Sequence, residues 1–171
     1  MRARNLAVAA LAVVLTALGA TPAQAVSGPE PWQPYTATDF VAPEGKYCAF
    51  ALAVEAIVDE EEFRVVTRYP DGAERVLEYR GELVTRFTNV ATGASVVRDL
   101  SGHAWLELYP DGQAMKSFSG IGPFGFGFRA EDDYSQGYYR FDGVTLITIA
   151  EDGTRTLRYT STEENLCDTL S

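Results

Sequence analysis

Through most of the chain, bulky apolar residues alternate with polar ones at a period of two. The clearest run is Phe63, Val65, Thr67 and Tyr69 interleaved with Arg64, Val66 and Arg68, the pattern of a strand with one buried face. Similar runs follow at 75–79, 83–90, 94–100, 103–109, 115–119, 138–141, 144–150 and 154–160. Residues 46–58 alternate large and small: Phe50, Leu52, Val54 and Val58 stand on one parity and Ala49, Ala51 and Ala53 on the other. Alanine and the spacing of Phe50, Val54 and Ile57 also fit a helix, and the period of two is preferred.

Reversals separate these runs. Four Asp-Gly pairs, Asp71-Gly72, Asp111-Gly112, Asp142-Gly143 and Asp152-Gly153, sit between them and predict hairpin turns, because both residue types tolerate positive φ. Tyr69-Pro70-Asp71-Gly72 and Tyr109-Pro110-Asp111-Gly112 repeat one turn sequence. Ala91-Thr92-Gly93 and Ser101-Gly102 mark further breaks, and the acidic run 59–62 predicts a solvated turn. Near the end, Ser161-Thr162-Glu163-Glu164 has capping-box spacing for a short helix carrying Cys167. The whole predicts an all-β fold of about eight to ten strands, an antiparallel meander forming a closed or nearly closed barrel, with a β-sandwich as the alternative. Closure is favoured because it removes exposed strand edges.

Composition adds a compartment. The first 25 residues have a basic start at Arg2 and Arg4, an apolar run from Leu6 to Leu18 and small residues at Ala23-Gln24-Ala25, the layout of a general-secretory leader cleaved after Ala25. The expected organisation is leader 1–25, an extended proline-rich lead-in 26–45 without regular structure that docks through Trp32, Tyr35 or Phe40, and one domain 46–171. The two cysteines, Cys48 and Cys167, then form a disulfide that ties the first strand to the tail. No later run approaches the roughly 18 apolar residues of a membrane span, so the processed chain reads as an extracellular monomer. Removing Arg2 and Arg4 takes the formal net charge from −10 to −12, which excludes nucleic acid and anionic lipid as partners.

Candidate chemistry is sparse. His103 is the only histidine, and Ser101, Ser117, Asp99 and Glu107 lie near it without a nucleophile-elbow pattern, so it reads as structural. One histidine and two disulfide cysteines cannot make a zinc site, and the acidic runs at 59–62 and 131–133 lack the spaced ligands of a calcium loop. No metal or other cofactor is implied. The remaining enzymatic option is a secreted enzyme using acidic residues, such as a carboxylate pair acting on a glycosidic bond, or His103. The most distinctive stretch is Gly120-Ile121-Gly122-Pro123-Phe124-Gly125-Phe126-Gly127-Phe128. Its phenylalanines share one parity, so they either line or cover an apolar pocket or pack at a bent corner of the sheet. A small apolar ligand would then be held by Phe124, Phe126, Phe128 and Trp105, with Arg86 or Arg98 fixing a polar end. The alternative is a protein or envelope partner met by aromatic loops near Phe124 and Tyr138.

The leader, the Gly45-Lys46-Tyr47-Cys48-Ala49-Phe50 opening and the late Cys167 together resemble small secreted β-proteins of actinomycete-type bacteria. Those proteins have no assigned role, so the resemblance implies a layout and no activity. In outline the strand series is also similar to lipocalin-type barrels, although no lipocalin motif stands near the first strand.

Overall fold

A computed structural model describes residues 28–112 and 114–171; the expected leader lies outside them. The strands are β1 (Gln33–Pro34), β2 (Phe40–Ala42), β3 (Leu52–Arg68), β4 (Glu74–Asn89), β5 (Ser95–Asp99), β6 (His103–Leu108), β7 (Met115–Ile121), β8 (Phe124–Phe128), β9 (Gly137–Ile149) and β10 (Arg155–Asn165), followed by the short helix α1 (Leu166–Thr169). All ten strands belong to one antiparallel sheet with the path β1-β3-β4-β6-β7-β9-β10; β2 adds to β3, β5 to β4 and β8 to β9.

This sheet is not a barrel. β10 pairs only with β9, and β1 and β2 pair only with β3, so both edges stay open. The expectation of closure, and with it the lipocalin outline, is overturned, and a single sheet replaces the alternative of two stacked ones. The edges are blunted by other means. Pro29, Pro31, Pro34 and Pro43 cluster on and around β1 and β2, and β10 carries two register shifts, at Arg158 and Ser161. Prolines and bulges both discourage edge-to-edge pairing.

Several expected short strands are halves of longer ones. β5 and β6 share one register on β4: Asp99 faces Val84 and Ala104 faces Tyr79, five steps along each strand. Likewise β7 and β8 share one register on β9, with Ile121 facing Val144 and Phe124 facing Phe141. At the interruptions, glycines fall in a row across the sheet. Gly81 faces Glu61, an added Cβ on Gly102 would lie 2.6 Å from the Pro123 carbonyl oxygen, and one on Gly143 would lie 2.7 Å from Ser161. The Gly122 amide donates to the Gly143 carbonyl at 3.0 Å.

The row is a fold line. Phe118 and Phe124 are six residues apart, about 20 Å in a straight strand, yet their ring centroids are 4.5 Å apart. The chain therefore doubles over at Gly122-Pro123. Glycines allow such bends and the close backbone approach that accompanies them. Beyond the row, β5 and β8 part company, and β8 with the first half of β9 forms a wing folded over the sheet. One face of the wing, with Phe124, Phe128, Tyr139 and Phe141, packs on Phe118 and Ile147. Tyr138 on its other face packs with Val54, Phe87 and Leu100. Gly125 and Gly127 also belong to that second face, where a Cβ on Gly127 would meet the Tyr47 ring at 2.5 Å. The alternation of glycine with phenylalanine thus gives a strand buried on both sides.

Chain ends meet through side chains rather than a ladder. Cys48 and Cys167 form the expected disulfide, and Asn89 Nδ2 donates to the Leu170 carbonyl at 3.1 Å. Arg98 on β5 grips Glu164 on β10 through two hydrogen bonds of 2.8 and 2.7 Å. The helix cap is Asn165, whose side chain accepts from the Cys167 amide; the capping-box residues themselves stay in β10.

Three of the four Asp-Gly pairs are turns. In the first, the Gly72 amide donates to the Tyr69 carbonyl and the Tyr69 amide to Ala73; only the glycine has positive φ, as in every other turn among the described residues. This is a type I turn closed by a glycine bulge, which suits Pro-Asp-Gly. The fourth pair, Asp142-Gly143, lies inside β9 on the fold line.

Candidate functional site

A cavity of about 320 Å³ lies on the concave side of the fold line. Its walls come from β3, β4, β6, β7 and the wing, and from the lead-in segment 35–40. The lead-in, expected to lack regular structure, instead runs antiparallel to β3 through β1 and β2, and its pairing lapses between Tyr35, whose amide donates to the Glu61 carbonyl at 2.9 Å, and Phe40. There two carboxylates bridge the gap: Asp59 Oδ2 accepts from the Ala37 amide and Asp39 Oδ1 from the Ala56 amide, each at 2.8 Å. Tyr35 is 38% exposed and Phe40 39%, so the cavity reaches the surface along this strap. Outside it, the Arg64 and Arg80 guanidinium groups lie over the Trp32 ring at 4.4 and 3.9 Å.

The interior is largely apolar, with Thr38 and Thr85 also on its walls. Leu83, Leu106, Phe118 and Phe124 line the larger part, whereas Glu61, Tyr79 and Tyr35 converge at one end. The rings of Tyr35 and Tyr79 meet edge to face at 5.1 Å. A bulge puts Glu61 there. Between Ala56 and Val58 the register of β3 against β4 slips by one, switching the inward parity from Leu52, Val54 and Ala56 to Asp59, Glu61, Phe63 and Val65. Opposite Glu61 stands Gly81, with no side chain to fill the space.

No hydrogen bond or ion pair reaches the Glu61 carboxylate among the described residues, and no basic side chain lines the cavity. Burial, then the neighbouring Asp59 charge, push its pKa up to about 7. Both effects disfavour the ionised form. Tyr79 is pushed up to about 12, first by burial and then by Tyr35, Glu74 and Glu61. The Tyr35 phenol is raised by burial and by Glu61 and Asp59. This end of the cavity is therefore electronegative and half-buried, with Tyr35 at its open mouth.

The residues singled out from sequence are dispersed. Phe124 lines the cavity, Phe126 lines an adjoining recess with Arg129 and Arg155, and Phe128 is wholly buried. Trp105 lies on the opposite face of the sheet, stacked on His103 at 4.3 Å. Neither arginine reaches the cavity: Arg86 pairs with Glu55 and Arg98 with Glu164. Near Phe124 and Tyr138 there is no exposed aromatic loop, both residues being buried. His103 Nε2 is 2.7 Å from Glu78 Oε1, and no serine hydroxyl bonds to it among the described residues. Glu78 is held below the usual carboxylate range; its burial raises the pKa, but hydrogen bonds from Arg64 and His103 outweigh that.

The acidic run 59–62 is strand and not a solvated turn. The run 131–133 is a turn with Glu131 and Asp133 exposed, but the Asp132 side chain is fully buried, bonded by the Arg129 guanidinium and the Arg129 and Arg155 amides. Among the described residues no three potential ligands cluster as a metal site, and no helix is long and apolar enough to cross a membrane. Sequence reasoning missed Glu61 because a run of four acids reads as exposed. The signal that could have found it is Gly81, a glycine inside an otherwise regular strand pattern. No family model, curated protein or solved structure matches this chain.

Proposed function

We infer that the protein is an exported binding module that holds a small, largely apolar molecule in the cavity beneath the lead-in strap. The observation that carries this reading is a largely apolar cavity of about 320 Å³ with a single carboxylate, Glu61, to which no protein side chain bonds among the described residues. Small-molecule sites are typically apolar clefts of about 300 Å³ or more with few convergent polar groups. Partial burial and the Asp59 charge disfavour ionisation of this carboxylate, and a ligand's polar group offsets that cost. The Cys48–Cys167 disulfide supports export, since such bonds persist in oxidising compartments.

The test uses the neutral fluorophore N-phenyl-1-naphthylamine, whose emission rises in apolar surroundings. Wild-type protein is expected to enhance it, and Ala56→Leu, which extends a side chain into the cavity, to abolish the enhancement while the melting temperature holds. Equal enhancement by both proteins would place the dye elsewhere and overturn the assignment. Native mass spectrometry of protein recovered from culture medium addresses export and a carried ligand together.

A further inference from the structure

We propose that the molecule bound in this cavity carries a cationic nitrogen, an ammonium seated against the Glu61 carboxylate and the faces of Tyr35 and Tyr79, with its apolar body toward Phe118 and Phe124. This rests on the binding reading above and adds the chemical class of ligand.

Three observations converge on it. First, charge complementarity is one-sided: Glu61 faces the cavity, Asp59 lies two residues away on the same strand, and no Lys, Arg or His lines the walls. An anionic ligand would meet repulsion with nothing to offset it. Second, Tyr35 and Tyr79 lie near enough to feel the Glu61 charge; their rings meet edge to face at 5.1 Å and Tyr79 stacks on Phe63 at 5.8 Å, so an ammonium meets the ring face that this cluster leaves open. Two aromatic rings at an angle beside a carboxylate are the elements of an ammonium cage, because the ring faces carry negative charge. Third, the oxygens needed for a bare metal ion are missing. Among the described residues no group of three ligands exists, whereas an ammonium is satisfied by one carboxylate and ring faces.

A neutral ligand accepting a hydrogen bond from protonated Glu61 is the competing chemistry, and pH separates the two. The titratable groups facing Glu61 are Asp59 on β3, Tyr79 on β4 and Tyr35 on the strap. At pH 8 Glu61 is ionised and an ammonium gains most; at pH 5 it is protonated and the gain disappears.

Calorimetric titration of the purified protein with three probes of similar size, 2-phenylethylammonium, 2-phenylethanol and 3-phenylpropanoate, tests the proposal. At pH 8 the ammonium should bind at least ~10-fold tighter than the alcohol, with the carboxylate weakest. The preference should collapse at pH 5 and in Glu61→Gln, and Tyr79→Leu should weaken the ammonium more than the alcohol, each variant being checked for an unchanged circular dichroism spectrum. If the alcohol binds as tightly as the ammonium at pH 8, the cationic assignment is overturned while the binding reading stands. If none of the three binds at millimolar concentration, both fall.

Discussion

Replacing Gly81 by alanine tests whether the glycine row is a fold line or a coincidence of composition. Gly81 has φ +132°, and an added Cβ would lie 2.3 Å from the Glu60 carbonyl oxygen and 2.6 Å from the Glu61 Cα. Both contacts are with backbone, so no rotamer change relieves them. A non-glycine residue held at such a φ costs about 1–3 kcal/mol, and overpacking that must be relieved by backbone movement costs about 1–3 kcal/mol more. The sum centres near 4 kcal/mol. For a domain of this size about 3 °C is lost per kcal/mol, so the melting temperature should fall by roughly 12 °C.

Gly93 supplies the control. It also has positive φ, +76°, but no atom lies within 4 Å of its would-be Cβ. Gly93→Ala carries only the conformational strain, about 1–2 kcal/mol, or roughly 3–6 °C. The loss of unfolded-chain entropy that favours alanine is common to both variants and cancels in the comparison. Differential scanning calorimetry of the two reads the difference directly. Melting temperatures within about 3 °C of each other would refute the fold-line argument, since the close approach across β3 and β4 would then carry no energetic weight.

Further outcomes follow from the electrostatics and the crosslink. Glu61 has a folded pKa of about 7 against an ordinary 4.5; a raised carboxyl pKa means stability is lost as pH climbs from the unfolded value through the folded one. Thermal melts of Glu61→Gln should match wild type at pH 4 and exceed it at pH 8, and no gain at pH 8 would remove the half-buried carboxylate from the account. Asp132 is the opposite case, held low because hydrogen bonds from Arg129 and two amides outweigh the effect of burial. Its contribution is full above the unfolded pKa and lost as pH falls through the folded value, so Asp132→Asn should cost ~3 kcal/mol at pH 7 and far less at pH 2 in urea unfolding. The double variant Cys48→Ser, Cys167→Ser opens a loop closed across 119 positions, and chain entropy predicts a loss of about 4–5 kcal/mol, measured by the same unfolding curves.

Much of the strand content was legible in the sequence because half-buried strands write their alternation directly. The Phe63–Tyr69 run, the turns at Gly72, Gly112 and Gly153, and the pairing of Cys48 with Cys167 were all accessible in this way. What failed was continuity. A bulge after Ala56 inverts the inward parity of β3, and to a period-two reading an inversion looks like a strand end; the four acids beside it made a turn seem the better explanation. Asp142-Gly143 failed similarly, since the dipeptide that makes a hairpin turn also suits a mid-strand bend. Closure was inferred from the need to protect edges. The same need is met by the prolines around β1 and β2 and the bulges of β10, which alternation does not display. Pairwise facing of distant glycines is a property of register, and register is not visible before the strands are aligned.

The fold line and the cavity have a common origin. At the row, strands lack side chains on the concave face, so the fold can double over there without the space being filled: Gly102 lines the cavity, and Gly81 lies across the ladder from Glu61. Glycine at these positions does two things at once, allowing the backbone to bend and withholding the volume that a core residue would occupy. The bulge after Ala56 acts at the same place, turning Glu61 toward that empty volume while Glu60 and Glu62 stay on the outer parity. A sheet bent by ordinary residues would need a packed corner. Bent by glycines, it acquires a hollow beside the bend, and the single register slip on β3 gives that hollow its one carboxylate.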